Sequence, residues 1–292
     1  MIVLWKMRDE KMVSVIITSY KRPADVVERA VMSVLAQTYS DLEVLIVDDN
    51  HDNSPESEQL AQAFTGRDRV RYIKQDGNKG ACAARNLGIE KAQGEFIGFL
   101  DDDDTWEKDK LEVQLARFEG TDETVAMVYC LGDVIVCTTN PPTVEEYYTT
   151  KLFKDEITFK DQLKYDYIGS TSQALIRKSC LVALGGFDES LPARQDYEMW
   201  LRISKDYRIL GVNKVLFHYY QHDMVQITKS PKKALTGYRI VYNKYKKYYK
   251  ADKSAHIGLL ERMMQEVKGH YKVLYQCYRI KKHWLMLLNK IM

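Results

Sequence analysis

Two runs of acids in this 292-residue chain each stand directly behind a short apolar segment. Asp48-Asp49-Asn50 follows residues 42–47, and Asp101-Asp102-Asp103-Asp104 follows residues 96–100. A solvated loop or a helix N-terminus can carry such a run. Directly behind a buried strand, however, adjacent carboxylates repel one another, and one pair 4 Å apart costs roughly 4 kcal/mol at an effective dielectric of about 20. A shared oxygen-loving cation, Mg²⁺ or Mn²⁺, would relieve that repulsion. A third acid, Asp196, opens a helical stretch after Gly185-Gly186. It can serve as a helix cap or, if the fold brings it to the same place, accept a proton from an incoming hydroxyl.

The elements around these acids decide whether they meet. Residues 13–18, 42–47, 70–73 and 96–100 are short, β-branched apolar runs suited to strands buried on both faces. Between them, Val26, Val27, Ala30, Val31, Val34 and Leu35 recur at helical spacing, and the stretches around 60–64 and over 80–92 also read as helices. This alternation predicts βαβ units and a parallel, doubly wound sheet. Ligands of such sheets sit beyond the carboxyl ends of the strands, so both acid runs converge on one edge. Further along, the pattern predicts a helix over 111–118, strands over 125–130 and 173–176, and helices over 179–184 and 197–203. Residues 138–167, with Pro141-Pro142, lack periodicity and read as an irregular excursion.

Hydrophobic residues make up 45% of the chain and charged residues 29%, which excludes collagen-like, low-complexity and wholly disordered classes. The five cysteines are odd in number and form no CxxC pair, which argues against a disulfide framework or a structural zinc site. The start is too short for a signal segment and no eighteen-residue window is free of charge, so a cytoplasmic protein is expected. Charge is unevenly spread. From Lys229 onward 16 Lys and Arg face 3 Asp and Glu, a balance of +13, while the remaining 27 and 38 give −11 for residues 1–228. The division expected is therefore an acidic body over 1–228 and a basic extension of two or three helices over 229–292, whose charge suits an anionic surface.

Residues 13–49, Gly80-Ala-Cys-Ala-Ala-Arg-Asn-Leu-Gly88, Gly94 to Asp104, Gly185-Gly-Phe-Asp-Glu-Ser190 and Gln195-Asp196 together resemble the family 2 glycosyltransferases of GT-A fold. The resemblance covers roughly 13–222 and rests on several ordered motifs rather than one. It implies an α/β, Rossmann-like, mostly parallel central sheet flanked by helices, with the C-terminal helical extension outside the match. It further implies that Thr18 lies near a nucleotide base, that Asp49 bonds a uracil edge, and that Arg85 lies near the diphosphate. The family's Asp-x-Asp-Asp motif falls on Asp101, Asp103 and Asp104, with Asp101 and the adjacent Asp102 on the nucleotide side and Asp103 on the metal. Asp196 matches the catalytic base, and His222 resembles a residue that completes the metal shell in some members. One departure is Gln195, where the family often has Glu.

The implied activity is inverting, metal-dependent transfer of a hexose or N-acetylhexosamine from a UDP-sugar to a hydroxyl of a saccharide acceptor, itself lipid-linked in the commonest setting, bacterial surface polysaccharide synthesis. The Gln-x-x-Arg-Trp motif of processive relatives is absent, which favours single additions. A haloacid dehalogenase-type phosphatase also fits Asp101-x-Asp103-x-Thr105, but three βα units precede that motif and no downstream acid pair follows it. A non-catalytic nucleotide-sugar binding module is disfavoured because every motif acid is present. For the tail, alternating Lys and Tyr over 242–250 allow nucleic-acid contact. On a sugar-transfer body, peripheral attachment to anionic lipid is expected instead, or packing on the body or a second copy.

Overall fold

A computed structural model describes residues 11–137, 144–149, 153–221, 230–268 and 270–290. The first half runs β1 (Val13–Ser19), α1 (Ala24–Leu35), β2 (Leu42–Asp48), α2 (Pro55–Phe64), β3 (Val70–Lys74), α3 (Ala81–Lys91) and β4 (Phe96–Asp101). Every residue of β2 is buried, which explains why its sequence is a continuous apolar run rather than an alternation. Helix α1 lays Val27, Ala30, Val31 and Val34 on one side of the sheet, and α3 packs Cys82, Ala84 and Ile89 on the other. Strands β3, β2, β1 and β4 are mutually parallel, so their carboxyl ends share one edge.

The second half contributes β5 (Thr105–Trp106), α4 (Lys110–Phe118), β6 (Val125–Cys137), β7 (Val144–Thr149), β8 (Glu156–Ile157), α5 (Phe159–Lys164), β9 (Ala174–Arg177), α6 (Lys178–Ala183), α7 (Gln195–Asp206) and β10 (Arg208–Gln221). The sheet order is β3-β2-β1-β4-β9-β6-β10-β5, with β7 on β6 and β8 on β10. Strand β9 is antiparallel to both β4 and β6, and β10 pairs with β6 in parallel. The 138–167 excursion thus holds β7, β8 and α5 among its described residues, and β6 runs on to Cys137. Strand β10 escapes the sequence pattern because Asn213 and Lys214 are exposed between buried Leu210 and Leu216, at register shifts on both sides of Val215.

The tail folds as α8 (Pro231–Ala251), α9 (Lys253–Val267) and α10 (Lys272–Lys290). Helices α8 and α9 pack on the body in a cluster that joins Leu163, Tyr197 and Leu201 to Leu235, Tyr238, Val241, Tyr245, Tyr249 and Leu259. The α8 tyrosines therefore face inward: Tyr249 is fully buried and its hydroxyl lies 3.0 Å from that of Tyr197. The interleaved aromatic face that suggested nucleic acid is core. At Gly258 a Cβ would stand 2.1 Å from the Lys164 carbonyl oxygen, so only glycine lets α9 approach α5 this closely. Among the described residues no helix is long and apolar enough to cross a membrane.

Candidate active site

The parallel register sets the edge. Thr18 pairs with Val47 on one side and with Asp101 on the other, and Ser19 pairs with Asp48. Half-buried Thr18 is therefore flanked by the strand ends that carry the two acid runs.

The first run is held by its own loops. Asp48 accepts from Asn50 N at 2.9 Å, Ser57 Oγ at 2.5 Å and Tyr72 Oη at 2.7 Å. Burial would raise its pKa, but these donors outweigh it and hold the carboxyl below its ordinary range. Asp49 accepts from Lys79 N at 2.8 Å, Gly80 N at 3.0 Å, Asn78 Nδ2 at 3.1 Å and Gln75 Nε2. The carboxylate thus ties the 75–80 turn, and with it the start of α3, to the end of β2. Burial nevertheless raises its pKa.

The second run meets arginines. Arg22, in the turn after β1, donates from Nε to Asp102 Oδ1 and from Nη2 to Asp103 Oδ2, both at 2.9 Å, and all three residues are buried. Arg85 on α3 donates from Nη2 to Asp101 Oδ1 at 3.0 Å. Asp104 accepts from Ser172 Oγ at 2.7 Å and Tyr220 N at 3.3 Å. Burial drives the Asp102 carboxyl up to about 7 against the pull of Arg22. It drives Asp104 well above its ordinary value, with the Asp101 and Asp103 charges adding to the shift. The repulsion within the run is thus balanced in part by the chain's own cations, Arg22 and Arg85. Sequence reading missed Arg22; its only signal was a basic residue in the turn that ends β1.

Arg85 has a second feature. Its Nη1 is buried and finds no hydrogen-bond partner among the described residues, as suits a donor kept for an anionic ligand. The neighbouring Asn86 has a structural role, accepting from Phe187 N at 2.7 Å and donating to Phe187 O at 2.9 Å. Gly186, at φ +71°, lies where a Cβ would come within 2.4 Å of Asn86 Oδ1. This contact docks the Gly185-Gly186 segment on α3 and carries the chain toward α7.

Asp196 lies half-buried in the first turn of α7 and accepts from Tyr197 N at 2.7 Å. Arg194, in the left-handed region at φ +65°, sets the turn and pairs with Glu266 on α9. Burial, reinforced by the nearby Asp166 charge, pushes the Asp196 carboxyl up to about 6, while Arg194 and Arg85 pull it down. Arg85, which bonds Asp101 directly, is the weakest of these influences on Asp196. Asp166 is a neighbour that sequence reading did not supply. His222 lies outside the described residues.

Asp101, with 35% of its side chain exposed, and buried Asp103, whose Oδ2 accepts from Arg22, are the carboxylates of this run that a hard divalent ion would use. Such an ion keeps waters and phosphate oxygens in its remaining positions and needs only one or two carboxylates. Among the described residues no three acids, histidines or cysteines gather into a metal cage made of protein alone.

Comparison with known proteins agrees with this geometry. The model of the family described as Glycosyl transferase family 2 matches residues 14–182. A glycosyl transferase of Escherichia coli (strain K12), WcaA, whose name places it in colanic acid biosynthesis, is 35% identical over 265 residues, 85% of this chain and 86% of its own length. The Escherichia coli UDP-Glc:alpha-D-GlcNAc-diphosphoundecaprenol beta-1,3-glucosyltransferase WfgD is 31% identical over 205 residues, 70% of this chain and 74% of its own. Among solved structures, S. aureus TarS 1-349 in complex with UDP-GlcNAc matches with TM-score 0.60 at 18% identity, over 90% of this chain and 74% of that one. The mannosyltransferase PcManGT from Pyrobaculum calidifontis, in complex with GDP-Man and Mn²⁺, matches with TM-score 0.56 at 16% identity, over 95% and 85%. These two likenesses bear out the GT-A fold. The family model spans more than half the chain and a relative above 30% identity spans most of it; the chain belongs to glycosyltransferase family 2 and is a glycosyltransferase.

Proposed function

We propose that this glycosyltransferase moves a hexose or N-acetylhexosamine from a UDP-sugar to a hydroxyl of a lipid-linked saccharide, one addition at a time and with inversion, in the assembly of a surface polysaccharide. The observation that supports this most is the Arg85–Asp101 ion pair at the carboxyl ends of the parallel strands, with the unpartnered Arg85 Nη1 beside it. The donor class and the lipid-linked acceptor follow the named reaction of the glucosyltransferase relative, and the setting follows the colanic acid relative.

In this reading Thr18 and the Asp49-anchored turn form the base end of the donor pocket, and Asp101, Asp102 and Arg85 line its ribose and diphosphate end. Asp103 would hold Mn²⁺ or Mg²⁺, with His222 as a further ligand. When bound, that ion supplies positive charge to the departing diphosphate. Arg22 orients Asp103, and Arg85 donates to the diphosphate oxygens as negative charge grows there. Asp196 removes the proton of the acceptor hydroxyl as that oxygen attacks the anomeric carbon. A single displacement inverts that centre.

Thermal unfolding in the presence of a panel of nucleotides tests the donor assignment. UDP and UDP-sugars with Mn²⁺, at about 100 times Kd, should raise Tm by roughly 5 °C. Other nucleotides should do less, and Asp103→Ala should lose the Mn²⁺-dependent part. Protection by no uridine nucleotide would remove the donor assignment, and an undiminished Mn²⁺ effect in Asp103→Ala would remove the metal role of that residue.

A further inference from the structure

Helix α10 has two apolar faces. One packs on the tail cluster through Leu274, Tyr275 and Tyr278, and Lys282 on that side pairs with Glu261 of α9 at 2.6 Å. The other lies open: Val273 is 79% exposed, Ile280 59% and Trp284 64%, and Cys277 is exposed between them. At 3.6 residues per turn these four positions fall within a sector about 60° wide and run about 16 Å along the helix. Exposed cations flank the stripe, Lys281 on one side and Lys272 and Arg279 on the other. No Asp or Glu follows Glu266 in the chain.

From this we infer that the outer face of α10 seats the enzyme on an anionic phospholipid surface, with Val273, Ile280 and Trp284 in the headgroup layer and the flanking cations on lipid phosphates. A narrow apolar stripe between cationic borders on an acid-free helix fits that layer. A second copy fits it poorly, because pairing the stripe with itself sets cation rows against cation rows. Placement also suits the site. Glu266 near the end of α9 pairs with Arg194, two residues before Asp196, and α10 begins at Lys272 a few residues later. A bilayer under α10 would lie one helix away from α9, the element that braces the catalytic base, on the side from which a lipid-linked acceptor would come; for that purpose the inference rests on the function proposed above.

Flotation of the full chain with vesicles tests it. The protein should float with vesicles of equal parts phosphatidylcholine and phosphatidylglycerol, stay behind with phosphatidylcholine alone, and be released by high salt. Ile280→Glu/Trp284→Glu should bind at least about tenfold more weakly. In a Trp5→Phe background, Trp284→Phe should still float but lose most of the fluorescence quenching by brominated lipid, since the remaining Trp106 and Trp200 are buried. UDP protection against unfolding should be unchanged in both variants, so failure of the donor site and failure of the membrane face are read separately. Equal flotation of the double glutamate variant, or a wild-type dimer that this variant dissolves and that ignores vesicles, would overturn the inference.

Discussion

Asp196→Asn is expected to lower transfer about 10²- to 10⁴-fold while donor affinity stays at the parent value, the range for loss of a general base. The substitution keeps the shape of the first turn of α7, and the amide oxygen can still accept from Tyr197 N, so no packing change accompanies the loss. The pH dependence provides a second reading. A base acts when deprotonated, and burial beside Asp166 raises this carboxyl to about 6. Activity should therefore be full above that value and fall as pH drops through it, well before an ordinary carboxylate would protonate. Initial rates against pH, with donor binding measured in parallel, check both points. Parent-like rates in Asp196→Asn would remove the residue from proton transfer.

Arg22→Met should destabilise the fold by about 3–5 kcal/mol, because it removes a buried arginine from two buried carboxylates at once. Both ion pairs are short and buried, with side-chain exposures of 8% for Arg22, 9% for Asp102 and 7% for Asp103, so water offers little compensation. Adding Asp102→Asn to Arg22→Met should recover part of the loss, whereas Asp102→Asn alone leaves Arg22 with Asp103. Urea unfolding of the single and double variants gives the coupling energy directly. A loss under about 1 kcal/mol for Arg22→Met would mean that the acid run does not depend on this arginine.

The readable and unreadable parts of the fold differ in a physical way. Strands β1, β2 and β4 are buried on both faces, which forces a continuous apolar run on the sequence, and the acids show because each run ends such a strand. Strand β10 is half-exposed and interrupted by register shifts, so its residues carry no clean period. The same limit applies to the site. Asp101, Asp103 and Asp196 drew attention by position, behind a buried strand and at the start of a helix, and the family resemblance supplied the roles proposed for them. Arg22 was not legible, because its aim depends on the turn at Lys21, whose φ of 53° puts the chain in the left-handed region. Nor was Asp166, which reaches Asp196 from the irregular 138–167 stretch only after α5 has packed on α7 and α9. The tail shows the converse. Its tyrosine and lysine pattern suggested a binding face, yet burial of Tyr238, Tyr245 and Tyr249 makes that face core and leaves α10 as the exposed one.

A structure of the protein with UDP and Mn²⁺ bears most directly on the central claim. The uracil is expected on the Thr18 and Asp49 side, with the diphosphate against Arg85 and the ion beside Asp101 and Asp103. UDP seated elsewhere, with the edge formed by β1, β2 and β4 vacant, would contradict it.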